Sequence, residues 1–221
     1  MKFAIIGAGG IGCYYAARLI QAGEDVTLVA RGAHLKAMQT KGLEVKHAEL
    51  DFHQAVDALS LEAWLNETNP DQVDVVIVCL KGMQTGALAE QLKNWLQSFP
   101  KSQAPLVLSL QNGVDNEQQL SEALPRHVVL GGIARRIGAH IIEPGVVESI
   151  GPAQVILGQW PNHQTVSSEM EEKIGAIARC FNAAKIPTEM SKDINKELWR
   201  KLIINNGLNP LCALLEIETG D

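Results

Sequence analysis

The sequence lacks any run of roughly 18 consecutive apolar residues, so no membrane-spanning helix is expected. The opening Met1-Lys2-Phe3-Ala4-Ile5-Ile6 stops being apolar at Gly7, too soon for the core of an export signal. Cysteines are few and scattered: Cys13, Cys79, Cys180 and Cys212 form no C-x-x-C pair, and they read as small buried residues or free thiols of a reducing compartment. A cytoplasmic location is the expectation. His34, His47, His53, His127, His140 and His163 show no metal-ligand spacing, so no metal site is expected. Neither a G-x-S-x-G elbow nor a Walker lysine motif is present, which argues against hydrolase and P-loop chemistry. Basic residues are in deficit, 19 Lys and Arg against 25 Asp and Glu for a net charge of −6, leaving no broad surface for nucleic acid or anionic membrane. The pair Arg135-Arg136 reads as a surface or sheet-edge feature. There is also no internal repeat.

What is present is ordinary globular material: 221 residues, 46% apolar, enough for one substantial core and part of a second. Short β-rich runs alternate with amphipathic stretches. Strands are predicted at Phe3–Ile6, Val26–Ala30, Val73–Leu80 and Leu106–Leu110, and helices at Ile11–Ala22, His34–Thr40 and Thr85–Leu96. The near-continuous Val/Ile run at 73–80 is the pattern of a parallel strand covered on both faces. An edge hairpin is predicted around Leu43–Phe52. Between Val128 and Leu157 short apolar runs are broken by Gly-Gly, Pro-Gly and Gly-Pro, which suggests an antiparallel extension. Ser167–Ala184 has helical spacing at Met170, Ile174, Ile177 and Phe181. Asp193–Leu215 reads as a long helix disturbed at Asn209-Pro210. The fold class is α/β: a Rossmann-type parallel sheet with an antiparallel extension, then the start of an all-helical second domain.

The first strand runs directly into Gly7-Ala8-Gly9-Gly10-Ile11-Gly12 and a helix follows. A bare G-x-G-x-x-G is weak, but between strand and helix it becomes a dinucleotide-binding turn. Gly7 permits the tight turn, Gly9 lets backbone approach the pyrophosphate, and Gly12 lets the helix pack on the strand. The helix N-terminus adds free N–H groups and a positive dipole end. At the end of the second strand, where an NAD site carries an acid for the ribose 2′-hydroxyl, the chain has Arg31. A guanidinium suits the 2′-phosphate of NADP(H), with about 1.5–3 kcal/mol per charge-assisted hydrogen bond. Two more strand ends point toward the same crevice, delivering Lys81 and Gln111-Asn112-Gly113 to hold cofactor or substrate.

Lys201, Asn205 and Asn209 recur at i, i+4 and i+8 and therefore share one helix face. Periodicity alone leaves open whether that stripe faces the crevice or solvent. The combination of the glycine turn, Arg31, Leu80-Lys81, Gln111-Asn112-Gly113 and Leu198-Trp199-x-Lys201-x3-Asn205-x3-Asn209-Pro210 resembles the ketopantoate (2-dehydropantoate) reductase family over nearly the whole chain. The resemblance implies NADPH-dependent reduction of a 2-oxo acid, 2-dehydropantoate, to (R)-pantoate. It implies Lys201 as general acid, Asn112, Asn205 and Asn209 as substrate contacts, and Gly7, Ala8, Gly9, Gly10, Ile11, Gly12, Arg31, Lys81 and Asn112 as cofactor contacts. Reduction of another 2-oxo acid and a non-catalytic NADP-binding sensor are the alternatives.

The expected domains are 1–191, which binds NADP, and 192–221, the first helix of a helical substrate domain. The resemblance implies that this second domain continues beyond Asp221 and supplies an acidic residue and a serine, roles that Glu216 and Glu218 do not fit. The second domain is thus expected to be truncated, or the chain naturally short and inactive. Exposed Leu202, Leu211 and Leu215 would then favour homo-oligomers or instability.

Overall fold

The computed structural model describes residues 1–161 and 167–216; His163 and Glu218 lie outside the described residues. In chain order the elements are β1 (Lys2–Ile6), α1 (Gly10–Gln21), β2 (Asp25–Val29), α2 (Gly32–Lys41), β3 (Leu43–His47), β4 (Leu50–Gln54), β5 (Asp57–Leu59), α3 (Leu61–Glu67), β6 (Val75–Val78), α4 (Thr85–Ser98), β7 (Leu106–Ser109), α5 (Asn116–Ala123), β8 (Val129–Arg135), β9 (Gly138–Glu143), β10 (Val146–Ile150), β11 (Gln154–Gln159), α6 (Ser168–Ala183), β12 (Thr188–Met190) and α7 (Ile194–Leu215).

The main sheet has eight strands in the order β12-β11-β8-β7-β6-β1-β2-β5. From β8 to β5 every neighbour is parallel; β11 is antiparallel to β8 and β12 is parallel to β11. Helices cover both faces, so successive residues of one strand enter different cores. Phe3 and Ile5 pack on the side of α1 and α6, Ala4 and Ile6 on the side of α3, α4 and α5. The same split of Val75 and Ile77 from Val76 and Val78 accounts for the unbroken apolar run predicted at 73–80.

The predicted hairpin at 43–52 is present as β3 and β4, but not at the edge of the main sheet. It joins β10 and β9 in a separate four-stranded sheet, order β4-β3-β10-β9. This small sheet packs over α1, whose Tyr14, Tyr15, Ala16, Ala17 and Leu19 are all fully buried. The main-sheet edge is instead held by β5, beside β2. The antiparallel extension expected over 128–157 is therefore divided. β11 pairs antiparallel with β8 and β9 with β10, while β8 itself continues the parallel series beside β7.

Gly131-Gly132 marks the middle of a buried strand, not a break. A Cβ on Gly131 would lie 2.9 Å from Ile194 Cγ1, and one on Gly132 would lie 2.7 Å from the Ser109 carbonyl oxygen. A Cβ on Gly158 of β11 would meet the Ser191 carbonyl oxygen at 2.6 Å. Gly131 and Gly158 form the notch into which the start of α7 drops, burying Ile194 and Leu198, whereas Gly132 lets β8 lie close to β7. Asp193 caps the helix by accepting from the Lys196 backbone N–H at 3.0 Å. The helix then continues through Pro210 without interruption, unlike the predicted disturbance there. Beyond Leu198 it carries exposed apolar residues, including Ile203 (68% exposed) and Leu214 (81% exposed).

Candidate functional site

Parallel strands finish on the same edge of their sheet. Gly7 after β1, Lys81 after β6, Asn112 after β7 and Arg136 after β8 therefore lie along one edge. The order of strands reverses between β1 and β6, where ligands bind in open α/β sheets. A cleft of about 1530 Å³ opens there. Of the residues predicted from sequence, it brings together Ile11, Lys81, Asn112, Lys201, Asn205 and Asn209. The polar stripe of α7 thus faces this crevice.

The glycine turn is built for close contacts of two kinds. Gly7 has φ +101°, and a Cβ there would be 2.8 Å from the Cys79 carbonyl carbon. A Cβ on Gly12 would lie 2.4 Å from the Gly7 carbonyl oxygen, so this glycine lets α1 sit on β1. A Cβ on Gly10 would lie 2.4 Å from the Ala139 backbone, where β9 crosses the turn. Gly9 differs from all three, because a Cβ there would meet nothing within 4 Å. It is also the N-cap of α1, whose first N–H groups have no intrahelical acceptor. An open bare Cα beside a free helix N-terminus suits a pyrophosphate.

Arg31 is exposed at the N-cap position of α2 and makes no side-chain cap bond; like Gly7, Ala8, Gly9, Gly10 and Gly12, it lies outside the lining of the cleft. The Val29 carbonyl nevertheless accepts from both Gly7 and Ala8 N–H at 3.1 Å, which ties the end of β2 to the glycine turn two residues before Arg31.

Two buried side chains outside the predicted site set, Thr85 and Asn116, join Gln111 in holding the β6 and β7 ends in register. Gln111 Nε2 donates to the Leu80 carbonyl at 3.0 Å and to Thr85 Oγ1 at 2.9 Å. Thr85 Oγ1 donates to Asn116 Oδ1 at 2.9 Å, and Asn116 Nδ2 donates to the Asn112 carbonyl at 3.0 Å. The chain of bonds fixes the backbone from which Lys81 and Asn112 project. A T-x30-N spacing carries no periodic signal, so only the tertiary structure reveals it.

Lys201 reaches across from α7 to β8, where its Nζ donates to the Ala134 carbonyl at 2.5 Å. Burial lowers its ammonium from 10.5 to about 8. A cation that releases its proton close to neutrality is suited to general-acid work. The cleft as a whole is basic: Lys81, Arg135, Arg136, Arg200 and Lys201 line it against the single acid Glu197. Arg200 pairs with Glu197 at 3.0 Å and Arg135 with Glu189 at 2.7 Å, while Lys81, Arg136 and Lys201 have no acidic partner among the described residues. In a chain of net charge −6, that concentration of positive charge favours an anionic ligand. The pair Arg135-Arg136, read from sequence as a surface or sheet-edge feature, lies at the edge where β8 ends and lines the cleft there, because β8 is parallel to β7.

Among the described residues no group of three or more His, Cys, Asp or Glu side chains is placed to hold a metal ion. Cys13, Cys79, Cys180 and Cys212 form no disulfide with one another, and of the four Cys13 is fully buried. No helix among the described residues is long and apolar enough to cross a membrane.

Comparison with known proteins adds a family. The model described as Ketopantoate reductase PanE/ApbA matches residues 3–162. The 2-dehydropantoate 2-reductase of Pyrococcus horikoshii is 32% identical over 221 residues, which is 100% of this chain and 66% of that protein. The PanE/ApbA family ketopantoate reductase structure from Ralstonia eutropha superposes with a TM-score of 0.77 at 32% identity, covering 93% of this chain and 61% of its own. A D-mandelate dehydrogenase structure with NADH and anilino(oxo)acetate superposes with a TM-score of 0.80 at 25% identity, covering 98% of this chain and 65% of its own. The chain thus spans just under two thirds of the length of these relatives.

Proposed function

The chain belongs to the ketopantoate reductase PanE/ApbA family, and from that premise we propose that it serves the NADPH-dependent reduction of 2-dehydropantoate to (R)-pantoate. The observation that carries this reading is the meeting, in one basic cleft, of the α7 stripe of Lys201, Asn205 and Asn209 with the strand-end residues Lys81 and Asn112. Bound NADPH supplies the hydride that reduces the C2 ketone.

The protein's own residues do the rest. Gly9 and the N-terminus of α1 receive the pyrophosphate, Gly7 and Gly12 hold that turn, and Gly10 clears β9. Arg31 meets the 2′-phosphate, since a carboxylate at that strand end would repel it. Lys81 and Asn112 anchor the nicotinamide end and the substrate. Asn205 and Asn209 orient the 2-oxo acid along α7. Lys201 Nζ faces the ketone oxygen, stabilises the negative charge that develops there and donates the proton. Its low proton affinity follows from its burial, not from a neighbouring charge. Domain 1–191 serves the cofactor, and α7 opens the substrate-binding part.

The mandelate dehydrogenase neighbour supports a second reading, in which the same machinery reduces a different 2-oxo acid. An assay of NADPH consumption by this chain with 2-dehydropantoate, and with 2-oxo acids bearing aromatic or unbranched side chains, separates the two. Highest kcat/KM with 2-dehydropantoate and NADPH is the expected result. Equal or faster turnover of an aromatic 2-oxo acid would favour the second reading, and binding of NADPH without turnover of any acid would favour a sensor.

A further inference from the structure

β8 ends at the crevice because it runs parallel to β7, and it delivers two arginines there. Only one is available. Arg135 is engaged, its Nε donating to Gln154 Oε1 at 3.1 Å and its Nη2 to Glu189 Oε1 at 2.7 Å. Arg136 is exposed, lines the cleft, and has no side-chain partner among the described residues.

Its backbone is unusual as well. Arg136 has φ +54°, a left-handed conformation that a long side chain disfavours. Neighbouring packing holds it there. The Ala153 N–H donates to the Arg136 carbonyl at 3.2 Å, and Gly151 passes so close that a Cβ would lie 2.3 Å from that carbonyl oxygen. A non-glycine residue kept in a sparsely populated conformation beside a cleft is a common mark of function.

Position supplies the ligand. Lys201 Nζ is bonded to the carbonyl of Ala134 in β8, two residues before Arg136 along the chain. In a 2-oxo acid the carboxylate is attached directly to the ketone carbon. An acid whose ketone oxygen meets Lys201 therefore carries its carboxylate to the immediate surroundings of the β8 end. We infer that Arg136 is a substrate-binding residue whose guanidinium grips the carboxylate of the 2-oxo acid, selecting acids over neutral ketones. The identity of the anion rests on the reduction reading above; the presence of an anion-binding guanidinium does not.

The test is calorimetric titration of the full chain, saturated with NADP⁺ so that no reduction occurs, with 2-dehydropantoate and with its neutral methyl ester. Wild-type protein should bind the acid at least about tenfold tighter than the ester, as a charge-assisted pair requires. Arg136→Gln should erase that preference, Arg136→Lys should retain part of it, and NADP⁺ affinity should stay within about twofold throughout. Arg136→Gly, which suits the left-handed backbone, should behave like Arg136→Gln and removes misfolding as an explanation. A preference for the acid that survives Arg136→Gln overturns the inference. So does a loss confined to NADP⁺ binding, which would assign the guanidinium to a cofactor phosphate. A wild-type chain that binds the acid but does not consume NADPH counts against the reduction reading alone.

Discussion

Burial of Lys201 against β8 brings its ammonium from 10.5 down to about 8, so at neutral pH the cleft holds a charge that folding disfavours. The gap between those two values, at 1.36 kcal/mol per pH unit, makes the charge a burden of about 3 kcal/mol. About 1 kcal/mol of that is set against the hydrogen bond to the Ala134 carbonyl, which a replacement would lose. Lys201→Met keeps the length of the side chain and drops the charge, so it should stabilise the fold at pH 7 by about 2 kcal/mol. For a chain of this size that is a rise in Tm of about 4–8 °C. The pH dependence gives the sign. Between about 8 and 10.5 the unfolded chain binds a proton at this lysine that the folded chain does not, so wild-type stability rises with pH across that window. The advantage of the variant should therefore be full below pH 8 and shrink towards pH 10.5. Turnover should move the other way. With Lys201 as the proposed proton donor, turnover should fall as pH rises through about 8, and Lys201→Met should reduce kcat by about 10²–10⁴-fold with NADPH affinity retained. Thermal melts at pH 7 and pH 10, read with NADPH fluorescence titrations, check both limbs. A variant no more stable than wild type at pH 7 would refute the claim that the cleft charges Lys201 at a cost.

Other outcomes follow from the same site. Gly9→Ala should leave Tm within about 1 °C of wild type, because its Cβ meets nothing, yet weaken NADPH binding; Gly12→Ala should lower Tm, because its Cβ would strike the Gly7 carbonyl oxygen at 2.4 Å. Melting curves beside NADPH titrations separate the two kinds of glycine, and equal melting losses would contradict the open space at Gly9. Arg31→Ala should raise KM for NADPH by about 10- to 100-fold and leave KM for NADH nearly unchanged, a difference read by steady-state kinetics with both cofactors. Glu117, fully buried in α5 with neither carboxylate oxygen partnered among the described residues, has its carboxyl pushed up to about 7 by burial. Its contribution is present below about 4.5 and lost as pH rises through 7, so Glu117→Gln should gain up to about 3 kcal/mol over wild type at pH 8 and little at pH 4. Denaturant unfolding at the two pH values measures that difference, and an equal effect at both would refute it.

Much of this protein could be read along the chain. The glycine turn declares itself because tight turns and close helix–strand packing tolerate no side chain, and those needs recur at fixed spacing. The two-sided burial of β6 is visible in Val75-Val76-Ile77-Val78, since a strand covered on both faces has no polar alternation. The common face of Lys201, Asn205 and Asn209 follows from helical geometry alone. The short helices α3 and α5 left weaker marks, because seven or eight residues hold too few turns for an apolar face to repeat.

What the chain could not disclose is which strand lies beside which. Hydrophobic pattern states that a face is buried, not what buries it, and pairing between distant segments is decided by three-dimensional packing. β3 and β10 meet across about a hundred residues of sequence to cover α1, an arrangement with no local signature. Gly131-Gly132 looks like punctuation until Ile194 and Ser109 are seen pressing on it. Most consequential is the direction of β8. Beside β7 and parallel to it, the strand ends at the crevice and brings Arg136 with it; reversed, the same residues would have pointed that arginine to the far edge of the sheet. The residue types were chosen by the sequence, but their meeting in one cleft was decided by the sheet.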